Sequence, residues 1–331
     1  MPPAATPRRT VLRVGAGIAT AALLAGCSGE RLRTPWSPDP SADAQEGRAT
    51  PDLPLLTDVR DRVATYRDLL ARTRPTGGRR GLVRTLDDVW VTQQERLDLV
   101  LQALGAGGVG DGGDGGDGGD GGAAVTAPGD DAAATSAGPL ELVEVGRRVR
   151  EDLSTMREGV ATSTSVHRPM LLSLAAQHLA SAERLGAGTD WPPLVGPVGT
   201  AAVPVLARTR PAIFALEVVA ARSGGEERED YEEVLAALRS VTRSLVTLAG
   251  DAAPVAPLGY DLPEPLADAD QRRALARAVV QDVGPAVLTV ADRAGQDGDQ
   301  VESYMRLVMQ ARLWADRLGV ADQAFPGMSL P

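Results

Sequence analysis

From Leu56 onward the apolar positions of the chain recur at alternating spacings of three and four, the signature of amphipathic helices. Leu56, Val59, Val63, Tyr66 and Leu70 form one stripe. Leu86, Trp90, Gln93, Leu97, Val100 and Leu104 form a second, with Thr85 as its expected N-cap. Leu142, Val145, Val149, Leu153, Met156 and Val160 form a third. After a break near residues 163–165, the period runs on through His167, Leu171, Leu174, His178, Ala182 and Leu185, and Pro169 suits the first turn of that helix.

The second half repeats the plan. Leu206, Ile213, Leu216 and Ala220 share a face, with Pro211 inside it as a kink. Tyr231, Val234, Leu238, Val241, Leu245 and Leu248 make a clean stripe that Gly250 closes. Val280, Val283, Val287 and Val290 are interrupted by Gly284-Pro285, and Val301, Met305, Val308, Ala315 and Leu318 follow Asp299 as N-cap. Each half reads helix, helix, long connection, helix, helix. No run of β-branched or aromatic alternation reads as a strand, so the expected fold class is all-α.

The segments between the stripes set the expected organisation. Residues 1–26 are read as an export signal and residues 27–54, rich in Pro, Ser, Asp and Ala, as a flexible tether reaching about 25–30 Å. Residues 55–187 form a first helical region carrying a Gly/Asp-rich insertion at 105–138, and residues 199–331 form a second. Within the insertion Asp111, Asp114, Asp117 and Asp120 repeat every three residues with no apolar residue between them. Calcium-binding repeats have a longer period and an apolar position, so this segment reads as a solvated, disordered connection.

Composition narrows the classes. All 34 basic residues are arginine and the formal net charge is −10, with no basic patch standing out, which argues against nucleic acid and against a polybasic membrane surface. Cys27 is the sole cysteine of 331 residues, so no internal disulfide or cysteine metal cluster exists. Aromatics make up 3%, so the core must rest on Leu, Val and Ala.

Cys27 follows a positive segment (Arg8, Arg9, Arg13) and a short apolar run from Val14 to Gly26, the layout of a secretory leader rather than a spanning helix. Leu24-Ala25-Gly26-Cys27 resembles the lipobox of bacterial lipoproteins. The resemblance implies acylation of the Cys27 sulfur with palmitate-type chains, cleavage before Cys27, and a lipid-anchored position on the extracytoplasmic face of the cell membrane, with the bilayer as first partner. Several acyl chains suffice for stable anchoring at about 0.8 kcal/mol per buried methylene. Arg8-Arg9 within Arg8-Arg9-Thr10-Val11-Leu12-Arg13 is similar to a twin-arginine export motif.

Val205-Leu206-Ala207, Ala212-Ile213-Phe214-Ala215, Val218-Val219-Ala220-Ala221-Arg222, Tyr260-Asp261-Leu262-Pro263 and Ala324-Phe325-Pro326-Gly327 carry a further likeness. On these residues the C-terminal half resembles the ferritin-like domain of unknown function found in actinobacterial lipoproteins, and residues 55–187 resemble the helical region that precedes it. The resemblance implies a ferritin-like four-helix bundle over 199–331. Di-metal chemistry in such a bundle needs Glu on two helices and Glu-x-x-His on the other two. This chain has no Glu-x-x-His; it shows Thr209-Arg210, Leu238, and Gln281-Asp282 where those ligands are expected. The reading is therefore a kept fold with no catalytic residues and no cofactor.

Two minority metal candidates remain. Glu217 is either a relic ligand or the surface partner of Arg210 or Arg222. His178 is either a core histidine or one ligand of a single-metal site shared with Glu151 or Glu158. His167 and His178, about 16 Å apart along one helix, cannot share a metal unless the helix breaks between them. The expected function is a non-enzymatic envelope lipoprotein whose helices bind an unknown envelope protein or a small apolar ligand. The alternative is a metal-binding or oxidoreductase protein of ferritin-like descent.

Overall fold

The computed structural model describes residues 51–105, 139–188, 190–263 and 265–329. Among them the apolar stripes become ten α-helices and no strand. The helices are α1 (Leu53–Ala71), α2 (Arg79–Ala103), α3 (Leu142–Glu151), α4 (Leu153–Thr162), α5 (Arg168–Arg184), α6 (Ala202–Ala221), α7 (Gly225–Ala249), α8 (Ala269–Gln281), α9 (Val283–Leu288) and α10 (Gly298–Arg317). The fold is all-α. One isolated parallel bridge joins Thr73 to Leu140.

Several element ends differ from the sequence expectation. The first helix takes in Leu53 and Pro54, the last two residues of the 27–54 segment, because Pro54 has its φ already set for a first turn. Thr85 is not a cap: α2 begins six residues earlier behind Gly78, since Arg79, Arg80 and Arg84 are good helix formers. At α10 the cap is Asp297, whose carboxylate accepts from the backbone N–H of Asp299 (3.0 Å) and Gln300 (3.1 Å); Asp299 sits in the first turn. The break expected at Gly284-Pro285 falls just before it, at Asp282, because the Pro285 ring collides with the carbonyl of residue 281 in a continuous helix.

The two halves repeat each other residue for residue in places. Leu53-Pro54-Leu55-Leu56 opens α1, and Val203-Pro204-Val205-Leu206 opens α6. In each half the third rod is broken at an aspartate, Asp152 between α3 and α4 and Asp282 between α8 and α9. The fourth rods end in Arg184-Leu185-Gly186 and Arg317-Leu318-Gly319, and both stop in the same way. The glycine takes positive φ, and the next residue donates five residues back, Ala187 to Ala182 and Val320 to Ala315, both at 2.9 Å.

Packing joins the halves through α5 and α10, and each half sends its tail across the other. Ser173 Oγ of α5 donates to the carbonyl of Pro326 (2.7 Å), and Arg306 of α10 donates to the carbonyl of Pro192. Ser173 and Arg306 each lie eleven residues before the arginine that ends their helix. Gly327, at φ +82°, lies so close to Gly284 that an added Cβ would stand 2.8 Å from the Gly284 carbonyl carbon. Within the second half α6 packs on α7, α8 and α9, and α10 packs on α8 and α9. Buried side chains from Leu56 to Phe325 form one core, and residues Ala49–Pro331 are one compact unit.

Candidate functional site

A buried polar arrangement sits among the first four rods. Helix α5 carries His178 into the core, where it is 2% exposed. Its Nε2 lies 3.0 Å from Gln93 Oε1 on α2, and Gln93 Nε2 donates to the carbonyl of Ala324 at 2.7 Å. That carbonyl can only accept, so the amide orientation of Gln93 is set. Its oxygen therefore faces His178, whose Nε2 carries the proton and whose Nδ1 is a bare acceptor. Tyr66 of α1 meets the His178 ring edge-on with centroids 5.2 Å apart and stands 5.8 Å from Trp90.

The Tyr66 hydroxyl donates to Asp152 Oδ2 (2.9 Å) at the break between α3 and α4. Burial, with the Asp152 charge adding to it, pushes the Tyr66 phenol up. Burial, helped by the nearby Arg62 charge, pushes His178 down to about 3, so the imidazole is neutral at physiological pH. His178 Nδ1 and Trp90 Nε1 are buried without a hydrogen-bond partner among the described residues.

The carboxylates that would turn this arrangement into a metal site are elsewhere. Glu151 and Glu158 are exposed, and Glu151 pairs with Arg148 (3.7 Å). The break at Asp152 turns its carboxylate toward Tyr66, Arg62 and Arg148. Among the described residues no group of three or more His, Cys, Asp and Glu side chains could hold a metal ion. The pairing of His178 with Glu151 or Glu158 is thus not formed.

Glu217 is a surface partner of a different arginine from the two expected. Its Oε1 takes Arg239 Nη2 of α7 at 2.6 Å, because the α6–α7 packing brings Arg239 across, while Arg210 donates to the Pro254 carbonyl. His167 leaves the α5 stripe and occupies the N-cap position. Its Nδ1 lies 2.7 Å from the carboxylate of Asp52, which also accepts from the Thr164 backbone N–H (3.0 Å) and hydroxyl. Burial acts to raise Asp52, but the bonds from Thr164 and His167 outweigh it and hold the group below the usual range. The only sequence signal was the Pro51-Asp52 pair in front of a helical stripe, within the segment read as a tether. Arg8, Arg9, Leu24, Ala25, Gly26 and Cys27 lie outside the described residues, as does the Gly/Asp repeat.

A cavity of about 280 Å³ opens between α8, α9, α10 and the C-terminal tail, with Val280, Pro285, Val308, Ala311, Val320 and Met328 in its wall. Arg312 also reaches it, but its guanidinium is engaged by Asp322 at 2.8 Å. Among the described residues no helix is long and apolar enough to cross a membrane.

Comparison with known proteins places one stretch. Residues 201–330 match the family described as "Domain of unknown function (DUF4439)". No curated protein and no solved structure matches the chain. The helices α6 to α10 therefore form a DUF4439 domain, a description that names no activity.

Proposed function

We propose that this chain is a lipid-anchored protein of the cell envelope whose helical body is a non-enzymatic binding or interaction module of ferritin-like descent. The observation that carries the second part is the partner of His178. The imidazole at the centre of the first four rods is held by the amide of Gln93, not by a carboxylate. In the second half Thr209 is buried, Leu238 is apolar core, and Asp282 pairs with Arg208 at 3.7 Å. Neutral donors and acceptors of this kind fix helix register; a di-metal cage calls for carboxylates. Anchoring rests on Leu24-Ala25-Gly26-Cys27 and its single thiol.

The test is mass spectrometry of the N-terminal peptide from protein recovered from membranes, beside a Cys27→Ala variant. An acylated Cys27 and release of the variant into the soluble fraction support anchoring; an unmodified thiol with unchanged membrane association overturns it. Stoichiometric iron or manganese in the purified protein would overturn the non-enzymatic part. Native mass spectrometry of the same material reads out a small apolar ligand, for which the 280 Å³ cavity is the candidate seat.

A further inference from the structure

The turn between α1 and α2 concentrates positive charge that the overall composition hides. From Leu69 to Leu86 the chain holds Arg72, Arg74, Arg79, Arg80 and Arg84 and no acid. All five are exposed. None has a carboxylate partner among the described residues, and Arg80 only donates to the Pro75 carbonyl. Elsewhere arginines are mostly paired, as in Arg60 with Asp98, Arg184 with Asp322 and Arg272 with Glu227. The Thr73–Leu140 bridge brings Glu141 to this end, and Asp68 and Asp88 stand one helical turn below it on α1 and α2, while Asp87 is taken by Arg67 (3.1 Å), so five unpaired guanidinium groups face three open acids.

The corresponding turn of the second half has the opposite sign. In the first two turns of α7, directly after the α6–α7 turn, residues 226–233 hold Glu226, Glu227, Glu229, Asp230, Glu232 and Glu233 against Arg228. The two repeats share their architecture, so helix packing does not demand arginine at this turn.

We propose that the α1–α2 turn is a docking surface for an anionic phospholipid bilayer, which it grips through headgroup phosphates. The proposal deepens the lipid-anchor reading and assigns how the body lies on the membrane. Guanidinium groups match phosphate oxygens with paired N–H donors. A chain of net charge −10 is repelled by an anionic surface as a whole, but screening limits that repulsion to about 8–10 Å, so the face in contact decides the sign. The geometry allows the contact. Helix α1 spans about 28 Å from its start to the basic turn. Cys27 lies 25 residues before Asp52, a length of chain that spans at most about 85 Å. A body anchored through Cys27 can therefore bring the far end of α1 down to the same bilayer.

The experiment uses the mature chain, residues 27–331, with Cys27→Ser, which removes both the basic apolar leader and acylation and so separates this proposal from the anchor. Binding is measured by co-sedimentation with vesicles of phosphatidylcholine alone and with about one third phosphatidylglycerol. The expected result is binding to the anionic vesicles only, lost in high salt. It weakens roughly fivefold per arginine changed, so on the order of 3,000-fold in the variant with all five changed to Gln. The variant with all five changed to Lys keeps most of the binding, and an unchanged circular dichroism melt shows that both are folded. Equal partition onto neutral and anionic vesicles, or anionic binding that survives the Gln changes, overturns the proposal. So does a self-associated species that the Gln changes dissolve while vesicle binding stays the same, which would pair this turn with the acidic turn of a second copy.

Discussion

His178 Nε2 stands 3.0 Å from Gln93 Oε1, and the other end of that amide holds the carbonyl of Ala324. One glutamine thus ties the fourth rod of the first repeat to the tail of the second. Removing it unpairs the buried His178 ring and the half-buried Ala324 carbonyl at once. Gln93→Ala is expected to lower the unfolding free energy by about 2–4 kcal/mol, at roughly 1–3 kcal/mol per buried group left unsatisfied. Urea denaturation checks it, and a change below 1 kcal/mol would show that the interior relaxes around the gap.

The same burial makes stability depend on acid. The folded value of His178, about 3, lies below the unfolded value of 6.5, so its neutral form is favoured by folding. That contribution is fully present above pH 6.5 and is lost as pH falls from 6.5 toward 3, by about 1.4 kcal/mol per pH unit for this one group. His178→Leu should flatten the decline. Nitrogen chemical shifts of the His178 ring that titrate between pH 5 and 8 would contradict it.

Asp52 adds a second acid-sensitive element in a lower window. Its folded value is held below the ordinary 3.8, so its contribution is present above that value and disappears as pH drops below it. Asp52→Asn loses acceptors for Thr164 and His167 and should cost about 1–3 kcal/mol. Hydrogen exchange should speed up at the first turn of α1 and at residues 163–167. Unchanged protection there would mean the contact does not fasten the helix start.

Gly327→Ala tests the crossing of the tail. The new Cβ would meet the Gly284 backbone at 2.8 Å, at a φ of +82° that L side chains avoid. Backbone cannot rotate away as a side chain can, so the tail must lift. A loss of about 2 kcal/mol or more and faster proteolysis after Val320 are expected. Ser173→Ala, which removes only one bond to Pro326, should cost about 1 kcal/mol.

Glu217→Gln is the contrasting case. Its pair with Arg239 is nearly half exposed on both sides, where ion pairs contribute about 0–1 kcal/mol. The melting temperature should hardly move. A large drop would assign Glu217 a part that its geometry does not show.

The apolar faces and the all-α class were legible in the chain because burial on one side of a helix imposes a period of 3.6, which any stretch displays without knowing its neighbours; the breaks at Asp152 and Asp282, which turn eight expected helices into ten, were not, since the period runs through them. The paired plan of the two halves was visible for the same reason. Partners were not. That Asp52 caps nothing and instead holds Thr164 and His167, that Glu217 meets Arg239, and that Gln93 orients His178 are relations between positions 22 to 115 residues apart. Hydrophobic period is silent about them, since a polar side chain in a stripe looks the same whether it faces a carboxylate, an amide or nothing. The basic turn shows a further limit. Five arginines are ordinary in a chain with 34, and only the packing that neutralises so many of the others leaves these exposed together at one end of α1.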